Sequence, residues 1–380
     1  MKTTRWLAAG MGLLFLGCIA YPSCHHALRG ENDFVSFYAG AALIGRGELY
    51  SPDVNRRFEG TMLGFPAYPS LYYIRPPFHA TLLRPLAWLP YRSAYFVFQG
   101  LSLAALFWFI WRFAKEMPGL PVLCAWSIPV SANVVIGQDM FLVIAAAAGA
   151  VLLRRAGRSF VAGLLLSLCA AKFHLFLLVP VALLFRREWR MLGGGATGAV
   201  ALTVVSFVSA GWRWPLEYAQ ILANRSLNES TVYSVNLRAL VFSAIGQDGF
   251  PMILGFCLPV LAAALYALWR AKGLETSIAI ALLAGLLLSY HAFSYDASLL
   301  LLVLVLLVLG GASAAVRRMT ALALLPPLYI LTSLGTPAVA LCLLGLSGLL
   351  AFGTVPERPG AVIRGLRFAR GPMRPIEGSL

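Results

Sequence analysis

An all-α protein threaded many times through a membrane is what this sequence predicts, and three observations carry that reading. Of its 380 residues 60% are hydrophobic and only 12% charged, with a mean hydropathy of +0.79. A water-soluble domain of that make-up would have too little polar surface to cover itself. Second, the net charge of +15 is carried largely by short Lys/Arg runs between long apolar stretches, the positive-inside pattern of a polytopic chain. Third, those basic residues are not gathered on one face among aromatics, so the charge points to anionic membrane lipid and away from nucleic acid.

Lys2 and Arg5 precede a first apolar span at about 6–22. The run is longer than a signal-peptide core and lacks a small-x-small cleavage site, so it reads as a transmembrane helix entering from the cytoplasm. Residues 23–91 then form a long outer loop. Its second half, with Ser51-Pro52-Asp53 as a turn, is punctuated by proline and rich in Tyr and Trp, as interfacial or re-entrant segments are. Spans follow at 92–113, 120–136 and 140–153, returning to Arg112/Lys115 and to the Arg154–Arg158 cluster.

Residues 159–185 have basic clusters at both ends. The segment is either a pair of short helices broken near Lys172-Phe173-His174 or one long tilted span with a buried lysine. The pair is preferred, because an unpaired charge in mid-bilayer is costly. A span at 191–210 opens on Gly193-Gly194-Gly195, which permits close helix approach. A second outer loop covers 211–249, and spans follow at 250–270, 275–290, 294–310, 319–335 and 337–353. That makes roughly twelve crossings, with one membrane unit over 1–355 and a basic cytoplasmic tail over 356–380. Cys18, Cys24, Cys124, Cys169, Cys257 and Cys342 are scattered through apolar surroundings and read as small core residues.

The chemistry is expected in Glu31–Tyr50. Phe34, Phe37, Tyr38, Ala41 and Ala42 share the spacing of one helical face, Gly45 and Gly47 supply the stop, and Asp33 heads the segment. Two readings of Asp33 stand side by side: a helix cap, or a reactive acid beside the membrane surface. Asp139 reads as a cap at a span end, and Asp296 as a cap or a buried acid. His291 lies in a short outer turn. Lys172 and His174 at a helix break suggest an anion site, while Arg75, Arg225 and Arg238 have the look of loop charges. One acid among outward-facing His, Lys and Arg residues suits transfer from a lipid-linked phosphate donor. A carboxylate takes the proton of an attacking hydroxyl, and cations stabilise the departing phosphate. There is no P-loop, Rossmann glycine pattern or DxD motif, and a single well-placed acid calls for no metal.

Several short motifs add a family resemblance. They are D-F-x-x-F-Y-x-x-A from Asp33, Gly47-x-Leu49-Tyr50, Arg75-Pro76-Pro77, Gly137-Gln138, Gly163…Ala171-Lys172, Asn236-Leu237 and Tyr295-Asp296. In order and spacing the chain resembles family 87 of the integral-membrane, GT-C type glycosyltransferases, which includes polyprenyl-phosphate-mannose-dependent α-mannosyltransferases. The resemblance implies a GT-C-like fold with no cofactor and a polyprenyl-phosphate sugar as donor. It implies a glycan or glycolipid acceptor and an active site on the outer side of the cytoplasmic membrane. Asp33 takes the place of the family's base, His291 that of its partner, and Lys172 a place near the donor phosphate. Tyr38, Gln138, Asn236 and Asp296 fall on matched motifs and are expected substrate contacts. So are Arg75, His174 and Arg225, as candidates for the phosphate. Three departures stand out: Arg75-Pro-Pro for Tyr-Pro-Pro, Lys172-Phe for Lys-Pro, and Gly137-Gln-Asp-Met for Gly-Gln-x-Asn. Two rivals use the same features: a transporter or lipid flippase, and a membrane acyltransferase or polymer ligase.

Overall fold

The computed structural model describes residues 2–64, 71–224, 234–246 and 250–353. Arg225 and the basic tail, 356–380, lie outside them. The described residues are helical throughout, and the one β-type pairing is an isolated bridge between Ser234 and Phe293.

Local chemistry explains most helix boundaries. The first helix, α1, runs Lys2–Leu28 and leaves through Gly30 at φ +80°. Next comes α2, Phe34–Leu43, halted by Gly45 and Gly47, both at positive φ. It is enclosed on nearly every side, not on one face: Phe34 to Ala41 and Leu43 are all buried. Ser51-Pro52-Asp53, read as a turn, is instead the start of α3, Pro52–Leu63, because proline suits the first helical turn, where no amide bond is lost. After α4, Pro77–Leu83, and a 3-10 turn at Arg84–Trp88, α5 runs Tyr91–Phe113.

The expected span at 120–136 is two helices, α6 (Leu120–Ala125) and α7 (Ile128–Ile136). Ser127 caps α7 by accepting the Val130 N–H, and Pro129 sits in its first turn. Gly137 at φ +73° ends it, and α8 is Met140–Arg155. Over 159–185 the chain forms α9 (Ser159–Ser167), a 3-10 turn at Leu168–Lys172, α10 (Phe173–Phe176) and α11 (Val179–Phe185). The helix is interrupted at Lys172, near the expected break, yet Ser159–Phe176 runs on as one apolar stretch with the lysine buried in it, which is closer to the single-span alternative than to the preferred pair. Then come α12 (Trp189–Ala210), α13 (Trp214–Ala223), α14 (Leu237–Ile245), α15 (Phe250–Arg270) and α16 (Leu274–Leu288). A 3-10 turn at Asp296–Leu299 leads into α17 (Leu300–Leu309), α18 (Ala314–Leu322), α19 (Pro326–Ser333) and α20 (Ala338–Phe352).

Among the described residues four stretches are long and apolar enough to cross a bilayer: Tyr91–Phe113, Ser159–Phe176, Trp189–Ala210 and Ile253–Arg270; α18 and α19, bent by 49°, make a fifth if counted together. Their outer faces are apolar and open, with Trp111 on α5 74% and Val208 on α12 83% exposed. Lipid is the solvent that suits such surfaces. By contrast α16 and α17 are buried from Thr276 to Leu287 and from Leu300 to Leu307 and form the centre of the packing. Of the described helices, the closest crossing is α9 on α12. A Cβ on Gly163 would overlap the Met191 carbonyl, and one on Gly194 the Phe160 carbonyl, so only glycine fits at either position.

Polar groups collect at the two ends of the bundle. At one end Arg154 pairs with Glu188, Arg155 with Glu275 at 2.9 Å, and Arg270 donates to the Ala351 carbonyl at 2.7 Å. The other end carries the groups considered next.

Candidate active site

Five expected site residues meet around one side-chain amide. Gln138 follows the left-handed Gly137 that closes α7, so it is aimed by the turn into α8. Its Nε2 donates to Asp33 Oδ2. Its Oε1 accepts from Arg75 Nη2 at 2.9 Å and from Lys172 Nζ at 3.1 Å. Lys172 Nζ also donates to Asp296 Oδ1 at 2.5 Å, and Asp296 Oδ2 accepts the Phe293 N–H at 3.0 Å. The lysine is 1% exposed and lies 4.7 Å from the centre of the Tyr295 ring. Its burial is tolerable because its charge is paired, which also answers the cost that a lone lysine would carry.

Asp33 makes no side-chain cap bond to α2; Asn32 does that work, its Oδ1 accepting the Phe34 N–H at 3.2 Å. The backbone of Asp33 is fixed by its own N–H to the Ile136 carbonyl at 2.9 Å. Its carboxylate is therefore held on the network and not spent on the helix end.

Two further residues of this network were missed in the sequence. Asp139, read as a cap, makes no cap bond. Its Oδ1 accepts from Arg75 Nη2 at 3.2 Å, and its Oδ2 lies 3.2 Å from His79 Nε2. Burial alone would push its carboxyl up, but Arg75, then His79 and Lys172, hold it well below the usual carboxylate range. His79 stands four residues after Arg75, at the first turn of α4, with Tyr73 Oη 3.1 Å from its Nδ1. Burial holds its imidazole below the ordinary value, with Asp139 pulling the other way. Arg75 and His79 bracket the Pro76-Pro77 pair that starts α4, and that bracketing was the available signal.

The remaining candidates are placed less centrally. His174, two residues past Lys172, is half-buried within electrostatic reach of Lys172, Arg75 and His291. His291 packs on Tyr290 with ring centres 4.9 Å apart, and burial followed by Arg238 lowers its imidazole against the pull of Asp296. Asn236 caps α14 and donates to the Ser289 and Tyr290 carbonyls at 2.7 and 3.2 Å, so it holds the turn that presents His291. Arg238, read as a loop charge, is buried with its guanidinium 4.4 Å from the Tyr290 ring centre. Tyr38 belongs to the aromatic core of the outer loop: its hydroxyl donates to the Leu89 carbonyl at 2.8 Å, and its ring meets Phe34 and Tyr91.

An acid tied to paired cations at one end of a lipid-facing bundle can accept a proton beside a site for an anion. Compared with known families, residues 73–293 match the model of glycosyltransferase family 87, more than half of the chain. The chain belongs to glycosyltransferase family 87. It is therefore a membrane glycosyltransferase. The family 87 match contains Arg75, His79, Gln138, Asp139, Lys172, Asn236 and His291, whereas Asp33 and Tyr38 precede it and Asp296 follows it. No curated protein and no solved structure matches the chain.

Proposed function

We propose that this enzyme moves a hexose, mannose by default, from a polyprenyl-phosphate donor to an acceptor hydroxyl on a glycan or glycolipid at the outer face of the cytoplasmic membrane. The observation that carries the reading is the single amide of Gln138, which places the Asp33 carboxylate next to the cation pair Arg75 and Lys172. In this reading Asp33 takes the proton of the acceptor hydroxyl as its oxygen attacks the anomeric carbon. The bond from that carbon to the phosphate oxygen breaks, and its electron pair leaves with the polyprenyl phosphate. A β-linked donor then gives an α-glycoside. No metal takes part, since the leaving phosphate needs only cations to stabilise it. His291 assists the base, with Arg75, Lys172, His174 and Arg225 toward the phosphate, and Tyr38, Gln138, Asn236 and Asp296 shaping the substrate site.

The orientation follows from charge: the end bearing Arg154, Arg155 and Arg270 faces the cytoplasm, and the Gln138 end faces outward. A twelve-crossing GT-C-like frame, with one membrane unit over 1–355 and a cytoplasmic tail over 356–380, is part of the same proposal.

The test is a donor screen on the purified enzyme in liposomes, offering polyprenyl-phosphate mannose, polyprenyl-phosphate glucose and nucleotide sugars. Sugar transfer is expected from a polyprenyl donor and not from nucleotide sugars. Asp33→Asn should lower turnover about 10²- to 10⁴-fold, the usual range for a general base. Transfer from nucleotide sugars, or full turnover in D33N, overturns the reading.

A further inference from the structure

The arginine-rich end of the bundle has a cavity of its own. About 700 Å³ in volume, it opens between α6, α17 and α18, walled by Val122, Leu123, Leu304 and Val308 and rimmed by Arg317 and Arg318. It lies at the far end of α17 from Asp296 and shares no residue with the Gln138 network. Both arginines are exposed, and neither side chain has an ion pair or hydrogen bond among the described residues. Five other arginines of this end are engaged: Arg112 with Glu116, Arg154 with Glu188, Arg155 with Glu275, and Arg186 and Arg270 with backbone carbonyls; Arg158, Arg187 and Arg190 are open like Arg317 and Arg318, and what sets these two apart is the cavity they line.

We propose that this cavity holds one anionic glycerophospholipid of the cytoplasmic leaflet, its phosphate at Arg317 and Arg318 and an acyl chain along Leu304 and Val308. Guanidinium forks match phosphate oxygens, and basic pockets between membrane helices attract acidic headgroups. The volume is that of a small-molecule site, about 300–1,000 Å³. The apolar walls favour a lipid over free phosphate or a nucleotide, and the separation from Gln138 sets it apart from the sugar donor. The proposal takes only the name of the leaflet from the orientation given above.

Native mass spectrometry of the full-length protein tests it. The protein is exchanged into equal amounts of phosphatidylglycerol and phosphatidylcholine with identical acyl chains. The parent protein should retain phosphatidylglycerol about tenfold more strongly, a difference of about 1.4 kcal/mol. The double variant R317Q/R318Q, which keeps the basic tail, should lose that preference. Val122→Trp, which fills the cavity and leaves both arginines, should lose it too. Equal retention of the two lipids by the parent protein overturns the proposal. So does an undiminished preference in either variant, or displacement of the lipid by millimolar inorganic phosphate. If the double variant does not purify, the parent protein and V122W decide the matter. Sugar transfer is not read, so the result stands apart from the identity of the donor.

Discussion

Arg75 and Asp139 face one another at 3.2 Å inside the protein, joining the first outer loop to the head of α8 across 64 residues of sequence. The resemblance to family 87 has tyrosine where this chain has Arg75, and leaves the position of Asp139 free. Arg75 departs from the family pattern, and Asp139 is the counter-ion that makes its burial tolerable. Removing one partner leaves a buried unpaired charge. Arg75→Met or Asp139→Leu alone should each cost about 3–5 kcal/mol, and the double variant should recover much of that loss. Thermal unfolding of the four proteins in detergent measures it. Losses in the double variant equal to the sum of the single ones would show that the pair does not act as a unit.

Gln138 should matter for rate more than for stability. It fixes the carboxylate of Asp33 with one end of its amide while Arg75 and Lys172 fix the other. Gln138→Leu keeps the shape and removes all three bonds. A misplacement of the base by about 1 Å can cost on the order of 10²-fold, so turnover should fall by about that factor while donor KM changes little. A KM effect without a kcat effect would leave Gln138 only its part in shaping the substrate site and remove its part in positioning Asp33.

Acid should loosen the fold through its buried imidazoles. His79 and His291 are both held below their ordinary value of 6.5, chiefly by burial, and Arg238 adds to the effect at His291. Folded values below the unfolded ones mean that their contribution is complete above about pH 6.5 and is lost as pH falls through the folded values. Asp139 stays ionised over that interval, because Arg75 outweighs its burial. The melting temperature should therefore be level from about pH 7.5 to 6.5 and decline below it, and His79→Gln should shallow the decline. An identical acid limb in H79Q would assign the effect elsewhere.

Gly163 and Gly194 set the closest helix crossing among the described residues. Gly163→Val drives a branched side chain into the Met191 carbonyl, which is backbone and cannot swing aside. Overpacking of this kind costs about 1–3 kcal/mol or more. A lower melting temperature and reduced membrane yield are expected, whereas Gly193→Val, with open space at that position, should be tolerated. Equal losses in both variants would remove the crossing as the cause.

What could be read from the sequence was local. The stop after α2, the glycines of α12 and the break at Lys172 rest on backbone chemistry within a few residues, and each is where it was expected. The division of 120–136 at Ser127 was also written locally, in a capping serine and Pro129, but the largely apolar character of the run hid it. Charge partners were not legible. Lys172 meets Asp296 across 124 residues, and no periodicity announces such a pair. Asp139 could therefore be taken for a cap, and Asp33 for a cap as readily as for a reactive acid. Hydropathy misled in one further respect: α16 and α17 have the mark of lipid-facing spans, yet protein surrounds them, because a transfer scale cannot tell lipid tails from leucine side chains.

That enclosure bears on how the molecule is assembled. A helix as greasy as α17 is at ease alone in the bilayer and gains little transfer energy by leaving it, so what draws its neighbours round it must be fit. The seat is cut at Gly285 of α16, where the backbone of Leu175 lies so close that no side chain could intervene. That contact seats α16 against α10, beside Lys172, and the turn from α16 into α17 delivers Asp296 to that lysine.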